Sequence, residues 1–117
     1  MDIESYRTYC LSLNGVTEDY PFGERTLVVK VKGKIVTLAD VDSFDSFTVK
    51  CDPAKAVKLR ESYPAVQPGY HMNKKHWNTI EVDNSIPDEL LCEWIRDSYE
   101  LVRDGLTGRE KRELLRE

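Results

Sequence analysis

Apolar residues recur at helical spacing at the start of the chain, in Ile3, Tyr6, Cys10 and Leu13, and predict a helix over about 3–13. Asp2 can cap it, and Asn14-Gly15 ends it because glycine relieves the left-handed C-terminal position. Residues 16–25 break this period and read as an extended connection with a turn at Pro21 to Gly23. The β-branched runs Thr26 to Val31 and Lys34 to Ala39 meet at Lys32-Gly33, which predicts a tight antiparallel hairpin. A third strand, about Ser46 to Cys51, alternates Phe47, Val49 and Cys51 with Ser46, Thr48 and Lys50. Asp52-Pro53 opens a second helix that ends near Tyr63-Pro64. A loop over 64–75 leads to a fourth strand, about His76 to Val82. Ser85-Ile-Pro-Asp88 has the form of a capping box for a long helix to about Asp104, with Leu91, Trp94, Ile95, Ser98 and Val102 on one stripe. The expected class is α+β in the order α-β-β-β-α-β-α.

At 117 residues the chain has the size of one domain and can bury a core without staples. That domain is read as 1–106, with 107–117 a charged tail or short helix. Hydrophobic residues at 40% and charged residues at 32% exclude both a disordered chain and a membrane protein. The Met-Asp-Ile-Glu-Ser start lacks a secretory pattern, so the cytoplasm is the expected compartment. Cys10, Cys51 and Cys92 are widely spaced and odd in number, as reduced thiols would be.

The net charge of −4 conceals a segregation. Residues 26–34 hold Lys30, Lys32 and Lys34 and no acid, and residues 50–77 hold Lys50, Lys55, Lys58, Arg60, Lys74 and Lys75 against Asp52 and Glu61. Together these stretches carry +7, leaving −11 on the rest. Alternation along the hairpin would aim Lys30, Lys32 and Lys34 away from the core, so an acidic protein could still show one basic face to a polyanion. The same lysines would also serve as scattered solvated positions.

Catalytic patterns are absent. His71 and His76 have the spacing of half a zinc finger, but the cysteine pair that would complete four ligands is missing. Neither Cys51 nor Cys92 comes with the local signature of a nucleophile, and the glycines stand singly with no phosphate-cradling pattern. No enzyme activity, cofactor or metal is expected from these residues.

The most informative segment is Pro68-Gly-Tyr-His-Met-Asn-Lys-Lys-His-Trp77. Lys74 and Lys75 could neutralise phosphates, Asn73 could read an adenine edge or a phosphate, and Tyr70 or Trp77 could stack or pack on sugars. The structural alternative is that both aromatics anchor the core. With Pro21-Phe22-Gly23, Lys50-Cys51-Asp52-Pro53, Ile86-Pro87-Asp88-Glu89 and Ser98-Tyr99, this segment resembles the MmcQ/YjbR family in family order over nearly the whole chain. The resemblance implies a frataxin-like, or CyaY-like, fold with terminal helices on one face of an antiparallel sheet. It also implies DNA binding, although a pI near 5.3 departs from the basic footprint expected on duplex DNA.

The leading expectation is therefore a non-enzymatic DNA-binding module. Lys30, Lys32, Lys34, Lys50, Lys74 and Lys75 would position it on phosphates, while Tyr70, His71, Asn73, His76 and Trp77 shape the contact. Five such phosphate contacts would give a log–log salt slope of roughly −4 to −5 on duplex DNA. A protein-interaction adapter using the loop aromatics and the charged tail is the second expectation. The third is an iron binder built on Asp2, Glu4, Glu18, Asp19, Asp40 and Asp42. No membrane partner is expected, and the oligomeric state is open.

Overall fold

The computed structural model describes residues 1–70 and 72–117. Its helices are α1 (Ile3–Leu11), α2 (Pro53–Ser62), α3 (Asp88–Asp104) and α4 (Gly108–Leu114). Its strands are β1 (Val16–Asp19), β2 (Thr26–Val31), β3 (Lys34–Asp40), β4 (Ser46–Lys50), β5 (Val66–Pro68) and β6 (Trp77–Glu81). The six strands form one sheet in the order β1-β2-β3-β4-β6-β5, with every neighbouring pair antiparallel. The class is α+β, but the predicted order lacked β1 and β5, and α4 takes the short-helix alternative read for 107–117.

Local chemistry explains most boundaries. The Asp2 carboxylate accepts from the Ser5 amide and the Ser5 hydroxyl oxygen accepts from the Asp2 amide, so α1 starts with two orphan donors satisfied. At the β2–β3 turn Lys32 and Gly33 have φ of 49° and 76°, the paired left-handed geometry whose twist matches a hairpin. The Asp52 carboxylate accepts from the Lys55 amide while Pro53 occupies the first turn of α2. The expected capping box of α3 is not made. Ser85 bonds Asp83 instead, and α3 starts after Pro87 without a side-chain cap. At the other end of the chain Thr107 and Glu110 do form a capping box, and α4 packs through buried Leu114.

Register sorts the side chains onto two faces, because directly opposed residues share one. Leu27, Ala39, Phe47, Ile80 and Val66 form one cross-strand row, and Val29, Thr37, Val49 and Asn78 form the next. Both rows face the helices. From α1, Tyr6 is fully buried, hydrogen-bonds Thr37 at 2.8 Å and packs on Phe44 and Phe47 with ring centroids 5.0 and 5.5 Å away. From α3, the Ser98 hydroxyl donates to the Val36 carbonyl and accepts from the Lys50 amide, which pins the helix to two strands. The Asn78 amide donates to Ala56 of α2, and Leu114 of α4 joins the same core.

The opposite face is crossed by the row Asp19, Val28, Leu38, Thr48, Thr79 and Gln67. No described helix lies over it. Yet Val28 is fully buried there and Thr48 is only 5% exposed. The connections before β2 and before β6 bring Phe22, Tyr70 and Met72 beside Thr48 on this face.

Candidate functional site on the open sheet face

Phe22 from the β1–β2 connection and Tyr70 and Met72 from the β5–β6 connection stand around a groove of about 510 Å³, floored by Leu38, Thr48 and Thr79. Phe22 and Tyr70 are 67% and 69% exposed, far more than aromatics of a packed core. The β5–β6 connection is held against the sheet by its own backbone. The Gly69 amide donates to the Trp77 carbonyl at 2.8 Å, and the Tyr70 amide donates to Thr79 Oγ1 at 3.0 Å. A Cβ on Gly69 would lie 2.7 Å from Trp77 Cβ, so only glycine permits this approach. Asn73 Oδ1 accepts from the Lys75 amide and closes the following turn.

Charge is unevenly placed around the groove. Lys50 lies opposite Trp77 on the open face, two residues along β4 from Thr48, and Lys74 and Lys75 are exposed on the loop that carries Tyr70. Among the described residues, Lys50, Lys58, Arg60, Lys74 and Lys75 form no ion pair with a carboxylate. Lys74 Nζ donates to the Gly69 carbonyl and Arg60 to the Lys74 carbonyl, so both cations brace the loop and bring charge to it. At the other end of the floor, Asp40 and Glu81 occupy open-face positions opposite Thr26 and Ser46.

The hairpin lysines do not converge as alternation suggested. Lys30 lies on the open face and pairs with Asp19 of β1 at 3.0 Å. Lys32, turned by its positive φ, reaches α4 and pairs with Glu113 at 3.4 Å and Glu117 at 3.1 Å. Hydrogen bonds donated to the Glu117 and Glu113 carboxylates hold the Lys32 ammonium above its ordinary pKa. Lys34 is exposed at the start of β3. His76 and Trp77 are half-buried where the loop rejoins the sheet, and the His76 carbonyl accepts from the Cys51 amide. His71 lies outside the described residues.

The groove thus unites Tyr70 with Phe22, Met72, Leu38, Thr48 and Thr79, five residues that the reading by sequence had not assigned to a site. Phe22 was legible as an aromatic in a Pro-x-Gly turn, where no core awaits it. The threonines were legible as the polar positions alternating with Phe47, Val49 and Ile80. Thiol chemistry has little support: burial pushes Cys10 up to about 12, and it raises Cys51 and Cys92 as well. Among the described residues no three His, Cys, Asp or Glu side chains gather as a metal site would require. No described helix is long and apolar enough to cross a membrane.

These features define an α+β domain with helices on one face of an antiparallel sheet and a loop-walled groove on the other. A family model described as YjbR matches residues 11–101, and the chain belongs to that family. It is 37% identical to YbdF of Escherichia coli O157:H7 over 110 residues, covering 93% of this chain and 90% of that one. It is 28% identical to YjbR of Escherichia coli K12 over 116 residues, covering 98% of each. The crystal structure of Deinococcus radiodurans protein DR2400 superposes with a TM-score of 0.90 at 38% identity, over 97% of this chain and 87% of that one. A Pseudomonas syringae protein shares the fold, with a TM-score of 0.73 at 22% identity over 86% of this chain and 98% of that one.

Proposed function

We propose that this chain is a non-enzymatic, cytoplasmic DNA-binding module of CyaY-like fold whose contact is the open sheet face. Bases of a single strand stack on Phe22 and Tyr70, while Lys50, Lys74 and Lys75 neutralise phosphates beside the groove. The observation that carries this is the placement of two exposed aromatics, from separate loops, across one groove on the sheet face over which no described helix lies, with lysines on one of those loops. An aromatic platform beside a cationic track binds unpaired strands because every base has a π-face. A duplex keeps those faces stacked, so the preferred partner is single-stranded. The CyaY-like arrangement is supported by α1 and the long α3 sharing one face of the sheet. Asp19 and Glu113 compete for Lys30 and Lys32, which removes most of the hairpin from the contact.

The adapter reading is favoured by one feature, the Glu81 carboxylate at one end of the floor, which suits a basic peptide, although Asp40 there is already paired with Arg25 at 3.2 Å. The deciding measurement is fluorescence anisotropy of a short labelled oligonucleotide, single-stranded and duplex, across a salt series. Three lysines on a single strand should give a log–log slope of roughly −2. Replacing Phe22 by alanine should weaken binding about 5- to 160-fold, the range expected for one stacked base. Absence of binding at low salt, with capture of a basic peptide instead, would favour the adapter.

A further inference from the structure

Resting on that reading, we infer that the groove floor donates one hydrogen bond to an acceptor on the edge of the base it takes, and that Thr48 and Thr79 are the residues that supply it. The inference comes from counting protons. Thr48 Oγ1 and Thr79 Oγ1 lie 2.8 Å apart, close enough to hydrogen-bond in either direction. Thr79 Oγ1 also accepts from the Tyr70 amide at 3.0 Å. The pair owns two hydroxyl protons and its mutual bond uses one. If Thr79 donates to Thr48, the Thr48 proton is left over. If Thr48 donates, the Thr79 proton is left over, because the Tyr70 amide brings its own. No backbone or side-chain oxygen among the described residues takes that remaining proton.

Both threonines line the groove; Thr48 is 5% exposed, so a spare proton on Thr48 has little access to solvent except through it, while Thr79 is half-buried. A buried donor without an acceptor is costly, which favours an occupant that provides one. A ring held between Phe22 and Tyr70 lies over this floor and can present a carbonyl or a ring nitrogen from its edge. The acceptor therefore belongs to the base and not to the phosphates, which the lysines hold. Because either hydroxyl can serve, the two positions back each other up.

The test uses the full chain with a short oligothymidylate, whose bases carry carbonyls, and an abasic strand of the same length. The double variant Thr48→Val/Thr79→Val should lose about tenfold on oligothymidylate, the worth of one net hydrogen bond, with the salt slope unchanged because no charge is removed. Each single valine variant should lose less, since the remaining hydroxyl keeps a proton. Thr48→Ser/Thr79→Ser should bind as the wild type does, and the abasic strand should bind all variants equally. The inference is overturned if the double variant keeps full affinity, or if it loses the abasic strand equally. It is also overturned if Thr79→Val alone matches the double loss, which would mean only that the Tyr70 amide had lost its anchor. Failure of the wild type to bind either strand at low salt would instead remove the DNA reading on which the inference stands.

Discussion

The two lysine-rich stretches of this chain meet opposite fates. In the hairpin, Lys30 and Lys32 are each paired with carboxylates of the same molecule, from β1 and from α4. In the 50–77 stretch, Lys50, Lys58, Arg60, Lys74 and Lys75 have no such partner among the described residues, and Lys55 alone of that stretch is paired, with Asp97 at 2.8 Å. Along the sequence both stretches look equally basic. In space the first keeps only Lys34 without an ion pair among the described residues, and the second is still largely available to a polyanion. The lesson is that local charge counts omit the acids that tertiary structure delivers, and Glu113 and Glu117 are more than 80 positions from Lys32.

The sharpest way to break this contrast is to strip each stretch in turn. Lys74→Ala/Lys75→Ala should weaken single-strand binding at least about tenfold at low salt and flatten the log–log slope by roughly 1.4, whereas Lys30→Ala/Lys32→Ala should leave both nearly unchanged. Equal losses from the two double variants, read by anisotropy, would erase the distinction.

A smaller effect, on stability, comes from Gly69. Substitution by alanine should cost about 1–3 kcal/mol in chemical denaturation, since the new methyl collides with Trp77. The same variant should lower oligonucleotide affinity, because the loop bearing Tyr70 and Lys74 must lift from β6. A wild-type-like stability would mean that the loop yields without strain.

Releasing Lys32 sharpens the comparison from the other side. Glu113→Gln/Glu117→Gln leaves Lys32 uncompensated at the hairpin tip. If the contact is centred on the groove, affinity should change by less than about twofold, within the modest worth of exposed charge pairs. A large gain would restore the hairpin to the interface.

The smallest effect is a dependence on acid pH. Hydrogen bonds from Arg7 hold Glu18 below the usual carboxylate range, and a hydrogen bond from Lys30 does the same for Asp19. Carboxylates depressed in the folded state add stability above their unfolded pKa and lose it as pH falls through the folded value. Melting temperature should therefore hold between neutral pH and about 5, then decline below about 4, where those carboxylates take up protons. Glu18→Gln should shrink that decline, and an unaltered acid limb would discount the Arg7 pair.

Much of the fold was legible because local and global demands agree. Lys32-Gly33 accepts the left-handed turn a hairpin needs, and the α3 stripe from Leu91 to Val102 is buried as its period implies. β1 escaped notice because Val-Thr-Glu-Asp has the polarity of a sheet margin, and β5 because its three residues end in Pro68. Ser85 misled because an Asp83 carboxylate two residues away competes for the same hydroxyl. The site was half legible. Tyr70 and the loop cations stand out in the sequence, but the opposing wall, Phe22, and the hydroxyl floor are assembled by strand register.

That register also decides how the molecule behaves in crowded solution. At one margin β1 is four residues long, with Glu18 and Asp19 engaged by Arg7 and Lys30. At the other, β5 is three residues long and stops at an imino acid that has no amide proton to give. Neither border offers a long flat row of peptide groups onto which a neighbour's strand could zip, so fibrous growth by sheet extension is discouraged at both ends.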